Sequence, residues 1–103
     1  MTPSPSVLIT CGHLIRNIQD FRSLFDIAGV KITVPQLVGQ QFDATEMLKL
    51  LPGHSTAILG DDHVTAKVLQ ASRPDLKALI KWGIGTDNID LESAKLMDVP
   101  VYN

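Results

Sequence analysis

Apolar residues occur along this chain in two textures, and their alternation predicts the architecture. Val7-Leu8-Ile9, Ala57-Ile58-Leu59 and Ala78-Leu79-Ile80 are continuous apolar runs, as expected of strands covered on both faces. Val30, Ile32 and Val34 instead alternate with Lys31 and Thr33, the pattern of a strand with one wetter face, and Pro35 ends it. Between these runs the spacing turns helical. Ile18, Phe21, Leu24, Phe25 and Ala28 form one stripe closed by Gly29; Ala44, Met47, Leu48 and Leu51 form another, broken by Pro52-Gly53. Val68 with Leu69, and Leu91 with Ala94 and Met97, mark two more. Asp43 followed by Glu46 is an acidic form of the capping box, and Thr65 and Asp90 are the expected caps of the later helices. Pro74 separates a helix from the strand at Ala78, and Pro100 confines the last strand, Val99–Tyr102, to an edge.

Strands alternating with helices imply a parallel sheet with right-handed crossovers. The continuously apolar first, third and fourth strands belong in the middle, with the alternating second and the proline-bearing fifth at the edges. The predicted fold is α/β and flavodoxin-like, strand order 2-1-3-4-5, with helices on both faces. Four helices over five strands leave part of one face bare, as if a final C-terminal helix were missing. Met1 to Ser6, polar and with two prolines, are expected to be a loosely attached lead-in.

Composition narrows the class. A chain of 103 residues with 45% hydrophobic content suffices for one modest core. A net charge of -2 without any basic run argues against nucleic acid as a partner. One cysteine, Cys11, cannot form an internal disulfide, and the N-terminus has neither the basic nor the apolar region of a secretion signal; the cytoplasm is the expected compartment. No apolar run approaches the ~20 residues that span a bilayer, so no membrane partner is expected.

The stretch richest in candidate chemistry is Leu76 to Asp90, an apolar strand entering a glycine-flanked turn and then a capped helix. Gly83 and Gly85 lack a Cβ, so backbone N–H groups there can approach an anion closely. The residues alone admit a carboxylate cradle or a tight turn that binds nothing. Lys81, at the strand end, is either a cation for a substrate phosphate or carboxylate or a solvated surface lysine. Asp87 and Asn88 are expected to brace the turn through side-chain to backbone bonds. Trp82 reads as a core or interface aromatic, or as a cover over the substrate. Cys11 reads as a small, partly buried side chain. His13, His54 and His63 share no ligand spacing, and no metal site is expected. In an open α/β sheet the ligand belongs at the switch point, here Cys11 to His13 and Gly60 to His63; whether one cleft also includes the fourth-strand turn is open.

The run Trp82-Gly83-Ile84-Gly85-Thr86-Asp87-Asn88-Ile89-Asp90, with Leu91-Glu92-Ser93-Ala94-Lys95 and Val99-Pro100-Val101-Tyr102-Asn103, resembles a signature of the D-isomer-specific 2-hydroxyacid dehydrogenases, most closely their phosphoglycerate dehydrogenase-like branch. That resemblance implies that residues 1–103 are the N-terminal part of a substrate-binding domain. The amides of Ile84 and Gly85 would hold the substrate carboxylate, Gly83 would allow the turn, and Asn103 would lie at the interdomain hinge, in reach of the substrate in some members. It also implies hydride transfer between NAD or NADP and a small 2-hydroxy or 2-keto acid, with the cofactor on a dinucleotide-binding domain outside this sequence. A segment returning after that domain would cover the bare face. Family members commonly carry a glycine before the last strand; Asp98 here can take the same left-handed conformation.

No Gly-x-Gly-x-x-Gly follows any strand, so the chain alone is expected neither to bind NAD strongly nor to turn over. Two other classes fit the strand order. A phospho-receiver would need acidic residues where Thr10-Cys11 stand, and only Asp61 or Asp62 could serve it. A non-catalytic interaction domain would use the bare face, and self-association into a homo-oligomer follows from either that class or the dehydrogenase.

Overall fold

The computed structural model describes residues 6–39, 41–83 and 85–103. Ten elements follow in order: β1 (Ser6–Ile9), α1 (Gly12–Arg16), α2 (Ile18–Ile27), β2 (Lys31–Thr33), α3 (Ala44–Leu50), β3 (Thr56–Leu59), α4 (Ala66–Ala71), β4 (Ala78–Lys81), α5 (Leu91–Leu96) and β5 (Val101–Tyr102). All strand pairs are parallel, and the sheet order is β2-β1-β3-β4-β5. The expected fold class and strand order are therefore the observed ones. No helix among the described residues is long and apolar enough to cross a membrane.

Register sorts the strand residues into two faces. Leu8, Ala57, Leu79 and Val101 are successive partners across the sheet. The first three are fully buried, under a core that includes Met47 and Leu51 of the α3 segment, Val68 and Leu69 of α4, and Ala94 of α5. On the opposite face the row is Ile9, Ile58, Ile80 and Tyr102. Here burial decays across the sheet: Ile9 is buried, Ile58 half-buried, Ile80 39% exposed and Tyr102 58% exposed. The helices α1 and α2 pack Leu14, Ile18, Phe21 and Phe25 over β1 and β2 and leave β4 and β5 uncovered on that side. The bare part of the face is thus real, and β4, expected to be covered on both faces, is covered on one.

Several boundaries differ from the sequence reading for identifiable reasons. Ser6 belongs to β1, not to the lead-in, because its N–H and C=O both bond Ser55; the rest of the lead-in, Met1–Pro5, lies outside the described residues. The turn after β1 is shorter than expected, since Gly12 and His13 already belong to α1, and Asn17 separates that short helix from α2. Leu24 is 61% exposed rather than on the buried stripe, because it sits roughly 100° round the helix from Phe25. Leu91, also expected on a buried stripe, is 46% exposed at the start of α5. The last strand starts only at Val101, after Pro100, which has no N–H to give.

Local punctuation follows the expected chemistry. Asp43 and Glu46 close a reciprocal capping box on α3, Thr65 caps α4 and Asp90 caps α5 through side-chain oxygens. Asp98 takes φ 57° after α5, the left-handed conformation that a glycine would otherwise supply.

Candidate substrate site at the carboxyl edge

The carboxyl ends of β1, β3 and β4 are knotted together by one buried carboxylate and one amide. Asp62, fully buried, accepts hydrogen bonds from Thr10 Oγ1 (2.6 Å), Phe42 N–H (2.8 Å) and Gly60 N–H (3.0 Å). These fix the turn after β3 against the end of β1 and against the loop entering α3. Asn88 Nδ2 donates to the carbonyls of Asp62 (2.6 Å) and Gly60 (3.2 Å), tying the turn after β4 to the turn after β3. Backbone bonds from Val64 N–H to Asn88 O and from Asp90 N–H to Val64 O, both 2.9 Å, complete the join. Asn88 therefore braces the turn as expected, though its partners lie on the neighbouring turn. Asp87 is exposed.

These turns rim one cleft of about 440 Å³. It is lined by Cys11, Gly12 and His13 after β1, by Gly60 and Asp61 after β3, and by Trp82 after β4, with Arg16 of α1 at its side. Cys11 to His13, Gly60, Asp61 and, from the fourth-strand turn, Trp82 thus share one opening, which the sequence left undecided. Trp82 is 48% exposed, and its ring faces that of His13 with centroids 5.5 Å apart; it is a cleft-wall aromatic rather than a core one. Cys11 is buried and free.

The β4 turn itself is open. Gly83 has φ +127°, a conformation that L side chains rarely adopt, and a Cβ built on either Gly83 or Gly85 would meet nothing within 4 Å. No backbone hydrogen bond joins the Gly85 N–H to another described residue. Ile84, expected to share the carboxylate with Gly85, lies outside the described residues. Lys81 is not a solvated lysine: its side chain is 4% exposed, and its Nζ lies 2.7 Å from Asp61 Oδ1, while Asp61 is 78% exposed. Asn103 is exposed and follows β5, one residue beyond the Ile80–Tyr102 pair, as Lys81 does on β4.

His63 lies apart from the cleft, in a hollow with Thr65, Asp87 and Asp90. Among the described residues no group of three or more His, Cys, Asp or Glu is placed to hold a metal. Sequence reasoning gave Asp62 and Thr10 no structural role and passed over Arg16. For Asp62 the only signal was an Asp-Asp pair after an apolar strand, which does not say which carboxylate turns inward.

A family profile described as the D-isomer specific 2-hydroxyacid dehydrogenase catalytic domain matches residues 12–103. The chain belongs to that family. Its fold is also that of solved structures at low sequence identity. A 3-phosphoglycerate dehydrogenase from Entamoeba histolytica with NAD+ bound superposes with a TM-score of 0.77 at 15% identity, over 96% of this chain and 32% of that one. An NAD-dependent formate dehydrogenase from Staphylococcus aureus in complex with NAD gives 0.70 at 17%, over 94% and 30%. A D-lactate dehydrogenase from Aquifex aeolicus complexed with NAD and lactic acid gives 0.68 at 17%, over 93% and 26%. This 2-hydroxyacid dehydrogenase domain therefore spans about a third or less of the chains it resembles. No curated protein matches it significantly.

Proposed function

We propose that this chain is the substrate-binding part of an NAD(P)-dependent D-2-hydroxyacid dehydrogenase, with the turn Gly83-Ile84-Gly85 gripping the carboxylate of a small 2-hydroxy or 2-keto acid. The observation that carries this reading is the open glycine turn at the carboxyl end of an interior strand, beside a cleft walled by Trp82. Main-chain N–H groups in a glycine-flanked turn suit a carboxylate, since charge-assisted hydrogen bonds to an anion are the stronger ones. Lys81 and Asn103, on the same sheet edge, are assigned to the substrate as well. Lys81 acts there from a buried position and in competition with Asp61.

The chain's own turns do not suit a dinucleotide, because none carries the glycine fingerprint that lets a backbone approach a pyrophosphate. NAD or NADP is therefore assigned to a dinucleotide-binding domain outside this sequence. That cofactor supplies the hydride exchanged with C2 of the acid. No catalytic residue is assigned within residues 1–103, and we regard the chain as one piece of a longer cytoplasmic enzyme. The receiver alternative finds no support at Asp62, whose two oxygens already accept three hydrogen bonds in the interior.

Mixing the 103-residue chain with NADH and a panel of 2-keto acids tests the division of labour. The expected result is no NADH oxidation by this chain. Robust turnover would overturn the assignment of cofactor and catalysis to another domain.

A further inference from the structure

The geometry points to Arg16 as a specificity-determining residue that binds a second anionic group on the substrate, so that the cleft prefers dianionic 2-hydroxy acids over monoanionic ones. The inference rests on the reading of the β4 turn as the carboxylate site and extends it to the other end of the ligand.

Charge in the cleft is unevenly committed. Asp61 is the carboxylate on its wall, and it is already matched by Lys81 at 2.7 Å. Arg16, on the same wall, has no carboxylate partner among the described residues. Its side chain is exposed, with the guanidinium close to Gly12: a Cβ there would stand 3.0 Å from Arg16 Nη1 and 3.7 Å from Cζ. The guanidinium thus lies against the Gly12 backbone, in space that any other residue at position 12 would fill. An exposed arginine at the side of a cleft, without an internal anion, is suited to a planar, two-oxygen group such as a carboxylate, or to a phosphate. Trp82 and His13, their rings tilted 31° to each other, line the same cleft and supply a wall against which the body of a short acid can lie.

The two ends of the ligand then have separate anchors. The 2-hydroxy acid carboxylate goes to the main-chain amides after β4, and the distal acid goes to Arg16 after β1. A neutral tail would leave the arginine to water and gain nothing from it.

Trp82 is the sole tryptophan and lines the cleft, so its emission reports binding without a label. Titrating the 103-residue chain with D-lactate and with D-malate should give tighter binding of malate by roughly tenfold, about what one charge-assisted contact is worth. Arg16→Gln should reduce that ratio to about one, whereas Arg22→Gln, on α2 away from the cleft, should keep it. Gly12→Ala should also lower the ratio by displacing the guanidinium. Equal affinity for both acids in the unsubstituted chain, or a ratio that survives Arg16→Gln, would overturn the assignment of Arg16 and leave the carboxylate turn standing. Failure of both acids to perturb either Trp82 emission or the Gly85 amide would overturn the turn assignment and this inference together.

Discussion

Lys81 and Asp61 form a lopsided ion pair: the ammonium is 4% exposed, the carboxylate 2.7 Å away is 78% exposed. Water already hydrates the aspartate, so the pair matters chiefly to the lysine, which has left water behind. Asp61→Ala should lower unfolding free energy by about 1 kcal/mol, kept small because solvent screens the contact. Lys81→Met removes the buried charge together with its need for a partner and should cost less than Asp61→Ala. Urea denaturation of the two variants checks the order; a larger loss for Lys81→Met would contradict it.

Asp62 holds together three segments that are remote in sequence. In Asp62→Asn one carboxylate oxygen becomes an NH₂ that must face either the Phe42 N–H or the Thr10 hydroxyl and Gly60 N–H. That mismatch should cost about 2 kcal/mol. Thr10→Val, which removes one donor and leaves the two amides in place, should cost about half as much. Chemical denaturation midpoints measure both.

His54 contributes a pH dependence with a definite sign. Burial holds its pKa below the ordinary 6.5 because the imidazolium would lose hydration. Between the folded value and 6.5 the unfolded chain binds more protons than the folded chain. The stability from neutral His54 is therefore fully present above pH 6.5 and is lost as pH falls through that window. Unfolding free energies measured through this range should decline toward acid, and His54→Asn, which keeps a polar group near Ser6 Oγ, should flatten that part of the slope. An unchanged slope in the variant would assign the dependence elsewhere.

The uncovered row of Ile80 and Tyr102 predicts the behaviour of the chain in solution. An apolar strip on the half of a parallel sheet without helices favours pairing with a second copy. Sedimentation velocity at high concentration should show self-association, and Ile80→Glu should return the chain to monomer. A monomeric unsubstituted chain would contradict this.

How much of this was readable beforehand follows from the range of the interactions involved. Strand order was legible because Val7-Leu8-Ile9 and Val30–Val34 differ in texture, and burial on one face or two is written locally. Caps at Asp43, Thr65 and Asp90 were legible for the same reason, since each acts within three residues of itself. The knot at Asp62 was not, because its partners Thr10 and Phe42 are brought to it only by the finished sheet. Nor was the burial of Lys81, whose partner across the sheet is Leu59 of β3. Gly12 resembled an ordinary turn glycine; that it makes room for Arg16 depends on a side chain one helical turn later.

The open turn after β4 carries the account, and amide chemical shifts probe it directly. In a ¹⁵N-labelled chain titrated with D-lactate, the Gly85 amide and its neighbours in the turn should move most, downfield and saturably, and Gly85→Ala should weaken the effect although a Cβ there meets nothing within 4 Å. Saturable shifts clustered elsewhere on the sheet, with the Gly83 to Gly85 amides unmoved, would contradict the claim that this turn was built to hold an acid group.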